Sequence, residues 1–306
     1  MAGGYTAVDL SQLPAPVVVE GLDYETVLAE RKAALLELVS VEQRSAVEAV
    51  LELESEPLTK LLEESAYREL LLRQRVNEAA TAVMLAYARD SDLDQIGANY
   101  QVERLVIDEG DPDAVPPVSP TFESDADFRR RIQLSPEGYT TAGSKGSYEF
   151  HALGADAQVR DAQAITPAPG QVTVYVLSRE ANGAASPELQ ASVAETLNAE
   201  QIRPMTDQVT VQSAAITEYT VDATLTVFSG PDAMLVRQAA IDAVTTYAVE
   251  QHRLGYDITL SGLYAALHQE GVQNVTLASP SADLVIGDGE AAYCTDVTVT
   301  LGGTGV

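Results

Sequence analysis

The sequence predicts an α+β protein: an N-terminal helical bundle built on a long helix, followed by two small strand–helix–strand modules, α/β sandwich-like, in series. Three features carry this. Apolar residues recur at helical spacing up to about residue 100. Alternation of apolar and polar residues takes over from about Val159, and the order strand, helix, strand then occurs twice. The 306 residues suit two or three domains.

The first segment, 1–25, reads as an extended arm, with two prolines and a short Val17-Val18-Val19 run. A helical domain is expected over 26–104. In "YETVLAERKAALLELV", Val27, Leu28, Leu35, Leu38 and Val39 fall near one face. "SEPLTKLLEESAYRELLLRQRVNEAATAVMLAYA" reads as one long helix from Ser55, with Pro57 in its first turn and an apolar stripe broad enough to bury more than one side. "SDLDQIGANYQ" follows as a short helix capped by Ser91. Four prolines and several acids make 105–121 a linker, and 122–157 a helical, glycine-rich connector. Within the connector, Ser124 and Asp127 have the spacing of a capping box, and Gly138, Gly143 and Gly146 mark a turn or a hinge before a second helix.

The first α+β module is expected over 158–216 and the second over 217–306. "AQVRDAQAI" and "QVTVYVLSR" read as strands around the turn "TPAPG", and "SPELQASVAETLNAEQI" as a helix with Ser186 as N-cap. "DQVTVQSAAITEYTVDATLTVFS" returns to strand, in two pieces. Then come the helix "PDAMLVRQAAIDAVTTYAVEQH", a helix behind Ser261, and the strands "VQNVTLAS" and "DVTVTLGG".

Composition narrows function. A net charge of −28 opposes binding to nucleic acid or an anionic membrane and favours basic protein partners. The single Cys294 forms no internal disulfide and reads as packed rather than reactive. The N-terminus lacks the basic and apolar stretches of a signal peptide, and no segment approaches about twenty apolar residues, so the chain is expected to stay in the cytoplasm unless carried out inside something larger.

The motifs for chemistry fail one by one. "GYTTAGSKGSYEF" misses the spacing of a P-loop, because Lys145 follows Ser144 and precedes Gly146. His151, His252 and His268 lie far apart, and the last two read as cations suited to helix C-termini. Asp90, Asp92 and Asp94 imitate the start of an EF-hand, but Gln95 and Gln101 stand where its glycine and glutamate belong. No serine sits in G-x-S-x-G, and carboxylates are too many for one pair to stand out. The reading is a non-enzyme with no cofactor and no metal; an acidic hydrolase with an unrecognised carboxylate site is the alternative.

Arg129, Arg130 and Arg131 remain. Only six Lys or Arg occur in the 175 residues after them. Consecutive helical residues point in different directions, so at most two share a face. Either they pair within the chain, with acids such as Glu123, Asp125 and Asp127, or they and Lys145 make a charged contact between subunits. In the second case, Arg129→Glu with Arg130→Glu is expected to leave the chain folded and reduce assembly.

The block from Glu123 to Ser178 resembles the centre of the J-like baseplate proteins of contractile phage tails. The motifs "FRRRI", "TAGSKGSYEFHA", "VRDA" and "PAPGQVTVYVLS" stand in the family's order. "LNAEQIRPMTDQVTV" is similar to the next element, and "LRQRVNEAATAVMLAYARDSDLDQIGANYQVER" to the long helix and "LD-x-IGA" turn. The resemblance runs from about residue 50 to the end. It implies a wedge protein of the baseplate in myophages or R-type bacteriocins, linking the central hub to the periphery and involved in triggering sheath contraction. The partners it implies are a second copy of itself, a smaller wedge protein, the sheath initiator, and the spike or hub. A wedge protein of a secretion-system baseplate is the nearest other reading.

Overall fold

The computed structural model describes residues 8–305 apart from 11, 12, 15, 17, 19, 141 and 231. The start of the expected arm, with Val17 and Val19, and Thr141 of the connector lie outside the described residues. The architecture is α+β and divides into two compact units, residues 8–103 and 104–305.

The first unit is helical: α1 (Tyr24–Leu38), α2 (Arg44–Leu51), α3 (Pro57–Ala82) and α4 (Asp90–Asn99). Asp23 caps α1 by accepting from the Thr26 amide, and Pro57 starts α3, where a missing N–H is harmless. Val27 and Leu28 of α1 meet Ala66 and Leu62 of α3 in a small core. Arg31 of α1 pairs with Glu69 of α3, which also receives Arg73 at 2.6 Å. The buried Asn77 of α3 brackets Glu20 of the arm, accepting its N–H at 3.1 Å and donating to its carbonyl at 2.9 Å. This described part of the arm therefore lies on its own helix.

Three helical expectations need correction. α3 ends at Ala82 rather than running on through Tyr87. The Thr81 hydroxyl bonds back to the Asn77 and Glu78 carbonyls, competing with the next turn, and Met84 to Ala88 form tight turns instead. The apolar stripe of α3 buries one side only, while Leu61, Leu72 and Val76 are 64%, 65% and 57% exposed. Ser91 is no cap, since α4 begins at Asp90 and draws its favourable charge from Asp90 and Asp92 in the first turn.

In the second unit, the proline-rich stretch is not wholly irregular. β1 (Val106–Asp108) and β2 (Thr121–Phe122) pair antiparallel, and Asp111 bridges Val118, with all four prolines outside the two strands. α5 (Asp125–Leu134) follows, capped by Ser124, whose hydroxyl accepts from the Asp127 amide. A 3-10 turn at Ser135–Tyr139 leads to α6 (Lys145–Ala155), capped by Ser144.

The first sheet holds β3 (Val159–Ala168), β4 (Gln171–Ser178) and β5 (Gln208–Ser213) in that order. β3 and β4 form an antiparallel hairpin, and β4 runs parallel to β5 through α7 (Pro187–Leu197). Tyr148, Ala152 and Leu153 of α6 and Val193 and Leu197 of α7 cover its buried face. The second sheet has β6 (Ala215–Phe228) at its centre, antiparallel to β7 (Val272–Ser279) and parallel to β8 (Glu290–Gly305). α8 (Ala233–Gln251) and α9 (Leu260–Leu267) lie on it, with Val236, Val244, Leu263 and Leu267 against Val221, Leu225 and Val299. β4 and β6 are thus equivalent, each between one parallel and one antiparallel neighbour. α9 is capped by the Thr259 hydroxyl rather than by Ser261. β8 is twice the expected length, so Cys294 lies inside the strand.

Candidate functional site: an arginine–carboxylate cluster between the modules

The three arginines of α5 are about 100° apart around the helix and meet three different surroundings. Arg131 turns inward, and its Nη1 donates to Glu123 Oε2 at 2.8 Å, with both side chains almost wholly buried. Arg130 reaches β3, where its Nη1 lies 2.8 Å from Asp161 Oδ1. Arg129 donates to the Asp125 carbonyl at 3.3 Å. Asp127, one turn earlier, receives Arg179 from the end of β4 at 2.8 Å and Arg253 from the end of α8 at 3.4 Å. Of the intramolecular partners named from the sequence, Glu123 pairs with Arg131 and Asp125 with Arg104, at 2.8 Å, while Asp127 serves two arginines outside the triplet.

Sequence reasoning missed Arg160, Asp161, Arg179 and Arg253. Arg160 donates from Nε to the His252 carbonyl at 3.0 Å and from Nη2 to the Val249 carbonyl at 2.6 Å, supplying a cation to the C-terminus of α8. Asp161 Oδ2 accepts the Leu254 amide at 3.1 Å. These bonds join the first sheet to the end of α8, beside an apolar contact among Leu177, Ala214, Leu254 and Ala291. The signal was available: three of the six basic residues after Arg131 converge here, and "VRDA" sets two charges inside an otherwise apolar strand.

Burial decides several ionisations. It pushes the Glu123 carboxyl up, against the pull of Arg131. Burial pushes Asp127 the same way, but the Arg179 hydrogen bond and the Arg179 and Arg253 charges outweigh it and hold the carboxyl low. His252 is corrected from cation to neutral ring, since burial lowers its pKa. Its Nδ1 lies 2.6 Å from the Ala292 carbonyl, which can only accept, so Nδ1 carries the proton. Nε2 faces Gly183, at φ +98°, where any Cβ would come within 2.8 Å of it. Burial also raises the half-buried Cys294 thiol.

The glycine-rich connector is tightly packed. A Cβ at Gly138 would meet the Phe150 ring at 2.5 Å, and one at Gly146 the Glu137 side chain at 2.7 Å. Gly143 has φ +72° and abuts Pro204 and Asp207. Lys145 lies 3.7 Å from Glu149, one turn along α6. Asp90, Asp92 and Asp94 project around α4 rather than into a loop. Among the described residues, no group of three or more His, Cys, Asp or Glu is placed to hold a metal ion, and no helix is long and apolar enough to cross a membrane.

The charged centre thus joins the chain's own modules, while the long helix keeps its second apolar face exposed. The comparisons with known proteins give the family. Residues 54–111 match the Baseplate J-like N-terminal domain, 140–213 the Baseplate J-like central domain, and 219–300 the Baseplate J-like protein C-terminal domain. Over 297 residues the chain is 54% identical to Baseplate protein J of Escherichia phage P2, covering 97% of this chain and 98% of that one. The chain belongs to the baseplate J-like family. A solved chain of the anti-feeding prophage baseplate, six-fold symmetrised, matches at 16% identity with a TM-score of 0.39, over 58% of this chain and 43% of its own length, a likeness that carries no argument.

Proposed function

We propose that this protein is a structural wedge component of the baseplate in a contractile device, a phage tail or an R-type bacteriocin. In that role it links the central hub to the periphery and takes part in assembly and in triggering sheath contraction. The observation that carries this reading is the near full-length similarity to Baseplate protein J of Escherichia phage P2. Its partners are a second copy of itself, a smaller wedge protein, the sheath initiator, and the spike or hub. It acts in the bacterial cytoplasm during assembly and in the baseplate of the finished particle.

The exposed face of α3 supports the role. At about 100° per residue, Leu61, Leu72, Val76 and Ala79 fall within about 60° of one another, opposite the side that holds Ala66 and Asn77. Such a stripe suits the apolar face of a partner helix. Close packing around Gly138 and Gly146 favours a rigid turn over a hinge. Arg130 and Arg131 face Asp161 and Glu123, which places these two arginines within the chain's own ion pairs. Reversing the charge of Arg130 would set two carboxylates against each other and disturb the fold before assembly. Glu123 and Asp127 both face arginines, which leaves the hydrolase reading without a free pair there.

The test is affinity purification of the tagged chain from particle-producing cells, with mass spectrometry of what accompanies it. Co-purifying sheath, spike or a small wedge protein is expected. Recovery of the chain alone while particles are being built would contradict the proposal.

A further inference from the structure

We propose that the groove between the two α+β modules binds a carboxylate side chain carried by an extended segment of another protein. The groove has a volume of about 390 Å³ and takes Arg160 and Arg179 from the first module and Val249, His252 and Tyr293 from the second. This inference is independent of the baseplate role, since it rests on the chemistry of the groove alone.

Charge is the first argument. The cluster holds five guanidinium groups, on Arg130, Arg131, Arg160, Arg179 and Arg253, against the carboxylates of Glu123, Asp127 and Asp161. Asp127 is shared by two arginines, and Arg160 donates only to backbone carbonyls, from Nε and Nη2. Among the described residues Arg160 is in no ion pair, the carboxylates of Asp127 and Asp161 acting on it only at longer range, and its Nη1 makes neither backbone bond. Arg179 likewise donates from Nε to Ala157 and from Nη1 to Asp127, leaving Nη2. With Asp296 of the groove wall counted as a fourth carboxylate, five guanidinium groups still leave a local excess of positive charge beside the cavity, in a chain of net charge −28. Two planar forks suit an oxyanion, and the protein's overall charge disfavours a polyanion such as nucleic acid.

Shape is the second argument. β8 is an edge strand whose outer side is met at Ala291 by Leu254 and at the Ala292 carbonyl by His252; beyond them five consecutive residues, Tyr293 to Val297, line the groove, so this stretch of the β8 edge forms its wall. A strand edge accepts an extended segment through backbone hydrogen bonds. Apolar walls at Ala248, Val249 and Val297 suit the side chains that flank an acid. Asp296 also lines the groove and accepts the Thr298 hydroxyl at 2.8 Å, and its charge limits the groove to a single acid.

His252 provides the readout, because the chain has only three histidines and this one lies in the groove beside the Tyr293 ring. The experiment follows the three imidazole signals by NMR during titration with a blocked hexapeptide, Val-Thr-Asp-Val-Thr-Val. The comparisons are the same peptide with Asn for Asp, free succinate, and potassium chloride at matched ionic strength. A saturable shift at His252 alone is expected, about tenfold weaker with the Asn peptide and weakened again in Arg160→Gln. Thr245→Glu, at an exposed groove position of α8, is expected to abolish the shift without touching any bond of the cluster, and it decides the matter if Arg160→Gln fails to fold. No saturable shift, or equal shifts with the Asn peptide or the salt, would overturn the proposal. Succinate matching the peptide would overturn the protein source and leave a small-anion site.

Discussion

The pair of Glu123 and Arg131 shows what a buried charge demands of its neighbours. Both side chains are out of water, so removing one leaves the other without compensation. Arg131→Met is expected to lower stability by about 3–5 kcal/mol in urea unfolding, and Glu123→Gln combined with Arg131→Met to recover most of it. An equal loss in the single and double variants would contradict this. His252 makes a second prediction. Burial lowers its pKa most, the Ala292 carbonyl and Asp161 oppose, and Arg160 adds to the lowering. The unfolded chain then takes up the proton first, near about pH 6.5. The contribution to stability is intact above that pH and is lost as pH falls through it toward the depressed folded value. The fall in Tm between about pH 7.5 and 5.5 should be smaller in His252→Gln, whose amide can still donate to Ala292; identical slopes would refute the assignment. Burial lowers His151 too, so the difference between proteins is the quantity to read. At this scale the sequence marked Arg129 to Arg131 as unusual, but the pairing of Arg130 with Asp161, and of Asp127 with Arg179 and Arg253, depends on contacts across dozens of residues.

Local rules were the most legible part of the chain. Ser124 and Ser186 cap their helices as expected, since each needs only a side-chain oxygen within reach of an amide three residues on. Alternation placed β3 to β7, because one face of each strand meets a helix layer. Periodicity alone failed at α3. It reported apolar residues on two sides, and only the fold reveals that one side is covered and the other exposed. This difference is testable. Leu72→Asp with Val76→Asp should leave the stability of the purified chain within about 0.5 kcal/mol per substitution, because both positions are exposed. The same double variant should fail to enter particles. Unfolding of the purified variant, or normal incorporation, would contradict the assignment of this face to a partner.

For the molecule as a whole, each unit has its own kind of surface. Residues 8–103 present an apolar helical stripe, and residues 104–305 present two sheets joined by an ionic cluster. The β4 and β6 strands occupy matching places in their sheets, so the succession legible in the sequence reflects a repeated architecture. What it could not convey was that polar bonds from Arg160 and Asp161 fasten the second module to the first, and that Arg253 ties it to α5. The central claim is that this chain is a building part of a contractile baseplate. Its most direct test is electron microscopy of particles from cells lacking the gene, with and without complementation. The account predicts no sheathed tails without the gene and full tails when the intact chain is restored. Sheathed, contractile particles in normal number from the deletion strain would contradict it.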